Sequence, residues 1–332
     1  MSRSLPPWIS AVRNGKDVVV IGDAEYPVDT SKPPVYFFPT YLAARLPPAW
    51  CDAQDQVSEL ERHPLADWLK QFKAFLATFD ARGHDGEYRD ILTAKVRALL
   101  VLAYDMYSLD QNPGLQDSLI YRLIDKRAFQ GALHEVYVAA TVMRAGFDIE
   151  YENENDSARK HPEFIATHRR SGVRIAVEAK SIHRAGVLAY ATGNPPPTME
   201  TASAHKIAAQ ICGQVQRALP KAIGFPLYVF VDLNLPPQIA EKFAPSVLDE
   251  FKVILPQLDP GLDDNGVFIG KVMNLLVVTN QPMHLGEERH KGGDTLMMFV
   301  DPPEGDCQFP EGSRHIDDVK AAIKKHGTVL DD

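Results

Sequence analysis

Residues 173–180 constrain the fold more than any other part of this sequence, because they run VRIAVEAK. Successive side chains of a strand point to opposite faces, so Val173, Ile175 and Val177 share one apolar face. Glu178 and Lys180 then project together from the other face. A carboxylate beside an ammonium group suits metal binding next to a group that can steer or deprotonate a water molecule. The segment therefore predicts a half-buried strand that carries chemistry.

The residues before this strand predict a β-hairpin. Ser171-Gly172 is a turn dipeptide, and Pro162 marks the start of the preceding strand, because proline cannot donate a hydrogen bond to a sheet. Glu163 then enters the strand that pairs with the strand of Glu178. Two carboxylates from adjacent strands form an oxygen-rich pocket of the kind that Mg²⁺ prefers.

Periodic patterns on both sides of the hairpin predict an α/β core. A helical pattern over residues 117–145, with a break near Lys126, ends at Gly146, a typical C-cap glycine. The order that follows is three strands, a helix and a strand, so an α/β fold is expected. The predicted strands cover 147–152, 163–168, 173–181 and 227–235, and the helix covers 201–219.

The N-terminal part has a different pattern. Residues 1–125 are predicted to be mainly helical, with a short hairpin at 17–28 and irregular proline-rich chain up to Pro48. We place a domain boundary after residue 125, so that residues 126–332 form the α/β domain. Further predicted helices cover 64–76, 88–108, 246–255 and 316–325, and further strands cover 275–279 and 296–300.

The composition excludes several classes of protein. The 332 residues are 45% hydrophobic and 24% charged, which is typical of globular proteins. A net charge of −9 excludes a protein that binds nucleic acid through bulk positive charge alone. The three cysteines are widely spaced and form no C-x-x-C motif, which favours a reducing compartment. With no run of about 18 apolar residues, we expect a cytoplasmic protein without a membrane partner.

Glu135 is the third notable acid. It lies within an otherwise apolar helical segment, and an acid in such surroundings is unfavourable unless it is paired, metal-bound or at the edge of a cleft. Glu135, Pro162-Glu163 and Glu178-Ala179-Lys180 together resemble the motif of the PD-(D/E)XK nuclease superfamily. The resemblance covers about 128–236, with one departure, because the family usually has Asp where this chain has Glu163.

The resemblance implies a restriction-endonuclease-like core, built as a helix, a three-strand meander, a helix and a strand. It also implies a metal-dependent endonuclease that hydrolyses phosphodiester bonds. Glu163, Glu178 and the Ala179 carbonyl would hold Mg²⁺, or Mn²⁺ in its place. Glu135 would help through water or a second ion, and Lys180 would orient the attacking water or stabilise the developing charge. Double-stranded DNA is the expected partner, and a homodimer is a further option.

A cationic rim is expected around this acidic pocket. Lys206, Gln210 and Gln214 recur at helical spacing, opposite a core-facing stripe, and could contact phosphates or bases. Basic residues also gather near the hairpin, and those assigned to nucleic-acid binding are Arg169, Arg170, His183 and Arg184. The same basic group includes Arg159, Lys160, His161 and His168.

Two alternatives stay open. The first is a non-catalytic nucleic-acid-binding or interaction protein with a degenerate nuclease fold, which Glu163 and the net charge favour. The second is an unrelated α/β protein in which residues 163–180 are only a hairpin. Convergence of the Glu163 and Glu178 carboxylates with Lys180 on one pocket is the observation that the nuclease hypothesis requires.

Overall fold

A computed structural model gives the structure of the protein and describes most of the chain. The described residues are 10–21, 24–29, 36–82, 92–112, 115–152, 161–190, 195–221, 225–254, 273–281, 296–300 and 314–326. The N-terminal part begins with an antiparallel sheet of β1 (Ser10–Arg13), β2 (Lys16–Ile21) and β3 (Ala24–Pro27). The helices that follow are α1 (Phe37–Arg45), α2 (Pro48–Asp55), α3 (Pro64–Arg82), α4 (Ala94–Asp110) and α5 (Asp117–Leu123).

The second part of the chain builds a six-stranded mixed sheet with the strand order β4-β5-β6-β7-β8-β9. Strands β6, β7 and β8 are parallel to one another, and the remaining pairs are antiparallel. The protein is therefore an α/β protein, and the predicted order of helix, three strands, helix and strand is confirmed. The elements are α6 (Phe129–Arg144), β4 (Phe147–Tyr151), β5 (Phe164–His168), β6 (Arg174–Ser181), α7 (Ala204–Ala218), β7 (Leu227–Asp232), α8 (Pro237–Ile254), β8 (Leu275–Asn280), β9 (Leu296–Val300) and α9 (Arg314–Lys324).

The sheet is covered on both faces, and strand alternation decides which side chain meets which helix. Ile175 and Val177 are buried in the cluster that contains Val136 of α6. Ala176 of the same strand is buried in the cluster that contains Ile207 of α7. The predicted alternation of residues 173–180 is therefore confirmed. We call the two sides of the sheet the α6 face and the α7 face.

Local signals explain several of these boundaries. Ser203 caps α7, since its side chain accepts a hydrogen bond from the Lys206 amide. Gly146 ends the helical region with a left-handed φ of 94°, which confirms it as the C-cap glycine. The break near Lys126 is confirmed as well, because α5 and α6 are separate helices.

The prediction of irregular chain up to Pro48 is wrong where the structure describes this stretch, because α1 lies there and α2 begins at Pro48, whereas residues 30–35 lie outside the described residues. Pro39 stands in the first turn of α1 and Pro48 is the first residue of α2, where a helix does not need the missing amide hydrogen. Phe38 and Tyr41 supply the buried stripe of α1. Strand β1 was also unforeseen, and α8 begins at Pro237 rather than near residue 246.

Part of the predicted N-terminal hairpin, the turn at residues 22 and 23, lies outside the described residues, although β2 and β3 do pair antiparallel. One buried cluster joins Tyr41, Trp68 and Leu99 of the N-terminal helices to Phe164 and other residues of the sheet. The domain division after residue 125 stays a prediction. Within the described residues, no helix combines the length and the apolar character needed to cross a membrane.

Candidate active site

The carboxylates of Glu163 and Glu178 meet at Lys180 on the α7 face. Glu163 directly precedes β5, and its amide donates a 3.0 Å hydrogen bond to the Val177 carbonyl of β6. The Lys180 Nζ atom lies 3.2 Å from Oε1 of Glu163 and also forms an ion pair with Oε1 of Glu178. The convergence that the hairpin pattern predicted is present in the structure.

Lys221 is a fourth member of this site, and sequence reasoning missed it. It ends a single 3-10 turn, Leu219–Lys221, that follows α7 directly. Its Nζ atom lies 2.6 Å from Oε1 of Glu178, the same oxygen that Lys180 contacts. The sequence does offer one signal for Lys221, namely the crossover connection between strands β6 and β7. Because these strands are parallel neighbours, the chain that leaves α7 must return to the sheet beside β6, where Glu178 lies.

Glu178 is the most deeply buried member. Its side chain is 0% exposed, whereas those of Glu163, Lys180 and Lys221 are between 21% and 23% exposed. Oε1 of Glu178 has the two ammonium partners, while its Oε2 atom is buried and accepts no hydrogen bond from any residue that the structure describes. A buried acceptor of this kind is unfavourable unless something else binds it.

Burial and the neighbouring charges set the ionisation of this group. Burial raises the pKa of Glu178 and the nearby Glu163 raises it further, whereas Lys180 and Lys221 oppose the increase. Burial would lower the pKa of Lys180, but the carboxylates of Glu178 and Glu163 outweigh it, so the pKa is raised. Lys180 is therefore a cation in this site.

The donor set fits a hard divalent cation. Mg²⁺ is usually held by one or two carboxylates and keeps several water ligands. Glu163 and Glu178 supply two carboxylates, and Oε2 of Glu178, which has no hydrogen-bond partner among the described residues, is an available oxygen donor. Within the described part of the chain, no group of three or more acidic, histidine or cysteine side chains could share one ion. Any ion would thus depend on this pair, on backbone oxygen such as that of Ala179, and on water.

Glu135 lies on the α6 face and has a different partner. Its two oxygens accept hydrogen bonds of 2.6 and 2.8 Å from the guanidinium group of Arg122 in α5. Its negative charge also contributes to raising the pKa of Tyr151, although burial is the main cause. The structure thus gives Glu135 a bidentate ion pair, which satisfies the requirement that a buried acid be paired. Its role as a metal ligand stays a prediction.

The expected basic residues divide between the two ends of the hairpin. Arg169 and Arg170 lie in the exposed turn between β5 and β6, about 20 Å along the strand from Glu163 at 3.3 Å per residue. Arg169 also forms an ion pair of 2.7 Å with Asp148. They are therefore not part of a rim around the carboxylates, because the turn and the open end lie at opposite ends of the hairpin.

His168 is not a surface residue either, because it is buried and its Nδ1 atom lies 2.8 Å from the Ser171 hydroxyl. His161 is half-buried, and residues 159 and 160 lie outside the described residues. His183 and Arg184 follow β6 at the end where Lys180 lies, and His183 is exposed.

Arg184 is held by the fold. Its Nε atom donates a 3.1 Å hydrogen bond to the Leu233 carbonyl, and its backbone amide donates to the Gln130 side chain at 2.9 Å. Burial lowers the pKa of Arg184, and Asp232 opposes this change. These contacts anchor the loop after β6 between α6 and β7.

The α7 residues expected to contact nucleic acid are spread along the helix. Lys206 and Gln210 are exposed and Gln214 is half-buried, opposite the buried stripe that includes Ile207 and Ile211. At 1.5 Å per residue, Lys206 lies about 20 Å along the helix from Lys221, and Gln214 about 10 Å. Only the C-terminal half of this face is close to the carboxylates.

These observations define an α/β protein with one buried carboxylate, one half-buried carboxylate and two lysines at one point of its sheet. Comparison of the chain with models of protein families, with curated proteins and with solved structures finds no match.

Proposed function

We propose that the protein is a metal-dependent nuclease with a restriction-endonuclease-like core, which hydrolyses phosphodiester bonds, with DNA as the expected substrate. One observation carries the proposal: Glu163, Glu178 and Lys180 converge on one face at the end of a hairpin. An exposed pair of charges on a strand would not explain why Glu178 is 0% exposed, with one oxygen that no described residue contacts by a hydrogen bond. A binding site for a cation explains both facts.

Each residue of the proposed site has a physical role. Glu163 and Glu178 would hold the ion through carboxylate oxygens, with the Ala179 carbonyl as the third protein donor. A bound Mg²⁺ supplies Lewis acidity and activates water. Lys180, as a cation between the two carboxylates, orients the attacking water and stabilises charge that develops on the phosphate. Glu135 acts indirectly, by holding α6 to α5 through Arg122.

The proposal is tested by incubating the purified full-length protein with supercoiled plasmid, linear DNA and RNA, in Mg²⁺, in Mn²⁺ and with chelator. We expect metal-dependent cleavage that is lost in Lys180→Met and Glu178→Gln. The matched control is Lys252→Met, which removes an exposed lysine that pairs with Asp249 on α8. Cleavage that survives both site variants, or that persists with chelator, would overturn the proposal.

A non-catalytic nucleic-acid-binding protein is the second candidate function. The observation that favours it is Lys221, because a second ammonium group on Glu178 neutralises a charge that a metal site needs. Under this alternative, the same assay gives DNA binding in a mobility shift without cleavage in either metal. If the protein neither binds nor cleaves nucleic acid, both candidates fail and the hairpin is only structural.

A further inference from the structure

We propose that Lys221 opposes the metal ion at Glu178, so that the ion binds more tightly once the Lys221 ammonium group leaves the carboxylate. This inference rests on the proposed function and concerns the regulation of the same site. It identifies Lys221 as a positioning residue outside the motif that the sequence displays. Its starting point is the 2.6 Å contact between Lys221 Nζ and Glu178 Oε1.

The charge balance of the site favours such an exchange. Glu163 and Glu178 bring two negative charges, and Lys180 and Lys221 bring two positive ones, so the group is formally neutral. Entry of a divalent cation beside two ammonium groups in this partly buried site would be opposed by repulsion, because charges interact more strongly where water is partly excluded. Departure of one ammonium group reduces this repulsion.

Of the two lysines, Lys221 can leave Glu178 with the smaller loss of ion pairs. Lys180 lies on the central strand β6 and contacts both carboxylates. Among the described residues, Lys221 forms an ion pair with Glu178 alone, and it ends a 3-10 turn rather than a strand. Its side chain is 23% exposed, so a path to solvent exists for the ammonium group. After its departure the site keeps Lys180 as the cation beside the ion.

The exchange also gives Lys221 a second position to occupy. A lysine side chain has four rotatable bonds and three donors, so its ammonium group can swing from a carboxylate to another anion nearby. With the ion bound and Lys221 released, the site has a net positive charge, which matches an incoming phosphate. Metal binding and substrate binding would therefore be coupled through this side chain.

Calorimetric titration of Mn²⁺ into the metal-free full-length protein tests the competition. Lys221→Met should bind Mn²⁺ about tenfold more tightly than the wild-type protein, which corresponds to about 1.4 kcal/mol. Lys221→Arg keeps the charge, and Lys252→Met removes an unrelated lysine. The dissociation constant of each for Mn²⁺ should therefore stay within about twofold of the wild-type value, well below the tenfold change expected for Lys221→Met. Equal or weaker Mn²⁺ binding by Lys221→Met would overturn the inference.

A second measurement needs no substitution and therefore does not depend on a variant that folds. Acetylation of the wild-type protein by an amine-reactive ester, mapped by mass spectrometry, should be faster at Lys221 when Mn²⁺ is present and unchanged at Lys252. An unchanged Lys221 rate at saturating Mn²⁺ would show that the lysine stays on Glu178, and the inference would be wrong while metal binding stands. If the wild-type protein binds no Mn²⁺ at all, the proposed function and the inference about Lys221 both fail.

Discussion

The ion pair between Arg122 and Glu135 decides whether Glu135 is a structural residue or a metal ligand. The two hydrogen bonds of 2.6 and 2.8 Å join side chains that are 35% and 6% exposed, respectively. Arg122→Met leaves the nearly buried carboxylate without this partner. Removing one member of a fully buried ion pair destabilises a protein by about 3–5 kcal/mol. Because Arg122 is one-third exposed and partly screened, we expect a loss of about 2–3 kcal/mol.

Urea denaturation followed by circular dichroism measures this loss as a change in the free energy of unfolding. Glu135→Gln should destabilise the protein less than Arg122→Met, because the released guanidinium group can reach solvent. The double variant Arg122→Met, Glu135→Gln should be less destabilised than the sum of the two single variants, with a coupling of about 1–2 kcal/mol. Additive effects would show that the pair contributes nothing to stability.

Metal affinity separates the two roles of Glu135. If the carboxylate acts only through Arg122, Glu135→Gln should change the dissociation constant for Mn²⁺ by less than about twofold, against the 10- to 100-fold loss that is typical of a supporting residue in a metal site. A loss of tenfold or more in a folded Glu135→Gln variant would refute the structural interpretation. It would instead confirm the role that the nuclease resemblance implies.

Two further predictions concern the pH dependence of stability. Burial, with a smaller contribution from Lys126, lowers the pKa of His63 to about 4, so stability should fall as the pH drops from 6.5 towards 4, where the unfolded chain is protonated and the folded chain is not. His63→Asn keeps an acceptor for the Leu65 amide. When the pH is lowered from 6.5 to 5, the free energy of unfolding of this variant, measured by urea denaturation, should fall by about 2 kcal/mol less than that of the wild type. Equal decreases in the two proteins would contradict a buried neutral His63. Burial raises the pKa of Asp232 to about 7, so its folded form keeps a proton that the unfolded chain releases near 3.8, and stability should decrease as the pH rises through this window. Asp232→Asn does not titrate and should therefore gain stability relative to the wild type between pH 4 and pH 8, whereas parallel curves for the two proteins would show that Asp232 is charged when folded.

The part of the site that could be predicted is the part encoded by local periodicity. A strand has a period of two, so the alternation of residues 173–180 places Glu178 and Lys180 on one face. One short turn then brings Glu163 opposite them. The surroundings of Glu178 could not be predicted in the same way, since Lys221 contacts it from the turn after α7, outside the hairpin.

Sequence patterns do not predict contacts between segments that are far apart in the chain. Lys221 reaches Glu178 across 43 residues, and Arg122 reaches Glu135 from a different helix. Each contact depends on how a helix packs, which a single sequence does not specify. The expected rim at Arg169 and Arg170 fails for another reason. The register of β5 and β6 separates the turn from the open end of the hairpin, whatever the charge of its residues.

The most direct test of the proposed metal site is a crystal structure of the protein grown with Mn²⁺, with anomalous scattering recorded at the manganese edge. We predict one anomalous peak within bonding distance of the Glu163 and Glu178 carboxylates, at about 2.1 Å, the distance at which Mg²⁺ binds oxygen. Lys180 should remain beside the ion, and Lys221 should have moved away from Glu178. Crystals at saturating Mn²⁺ that show no peak there, with both lysines still on Glu178, would contradict the central claim.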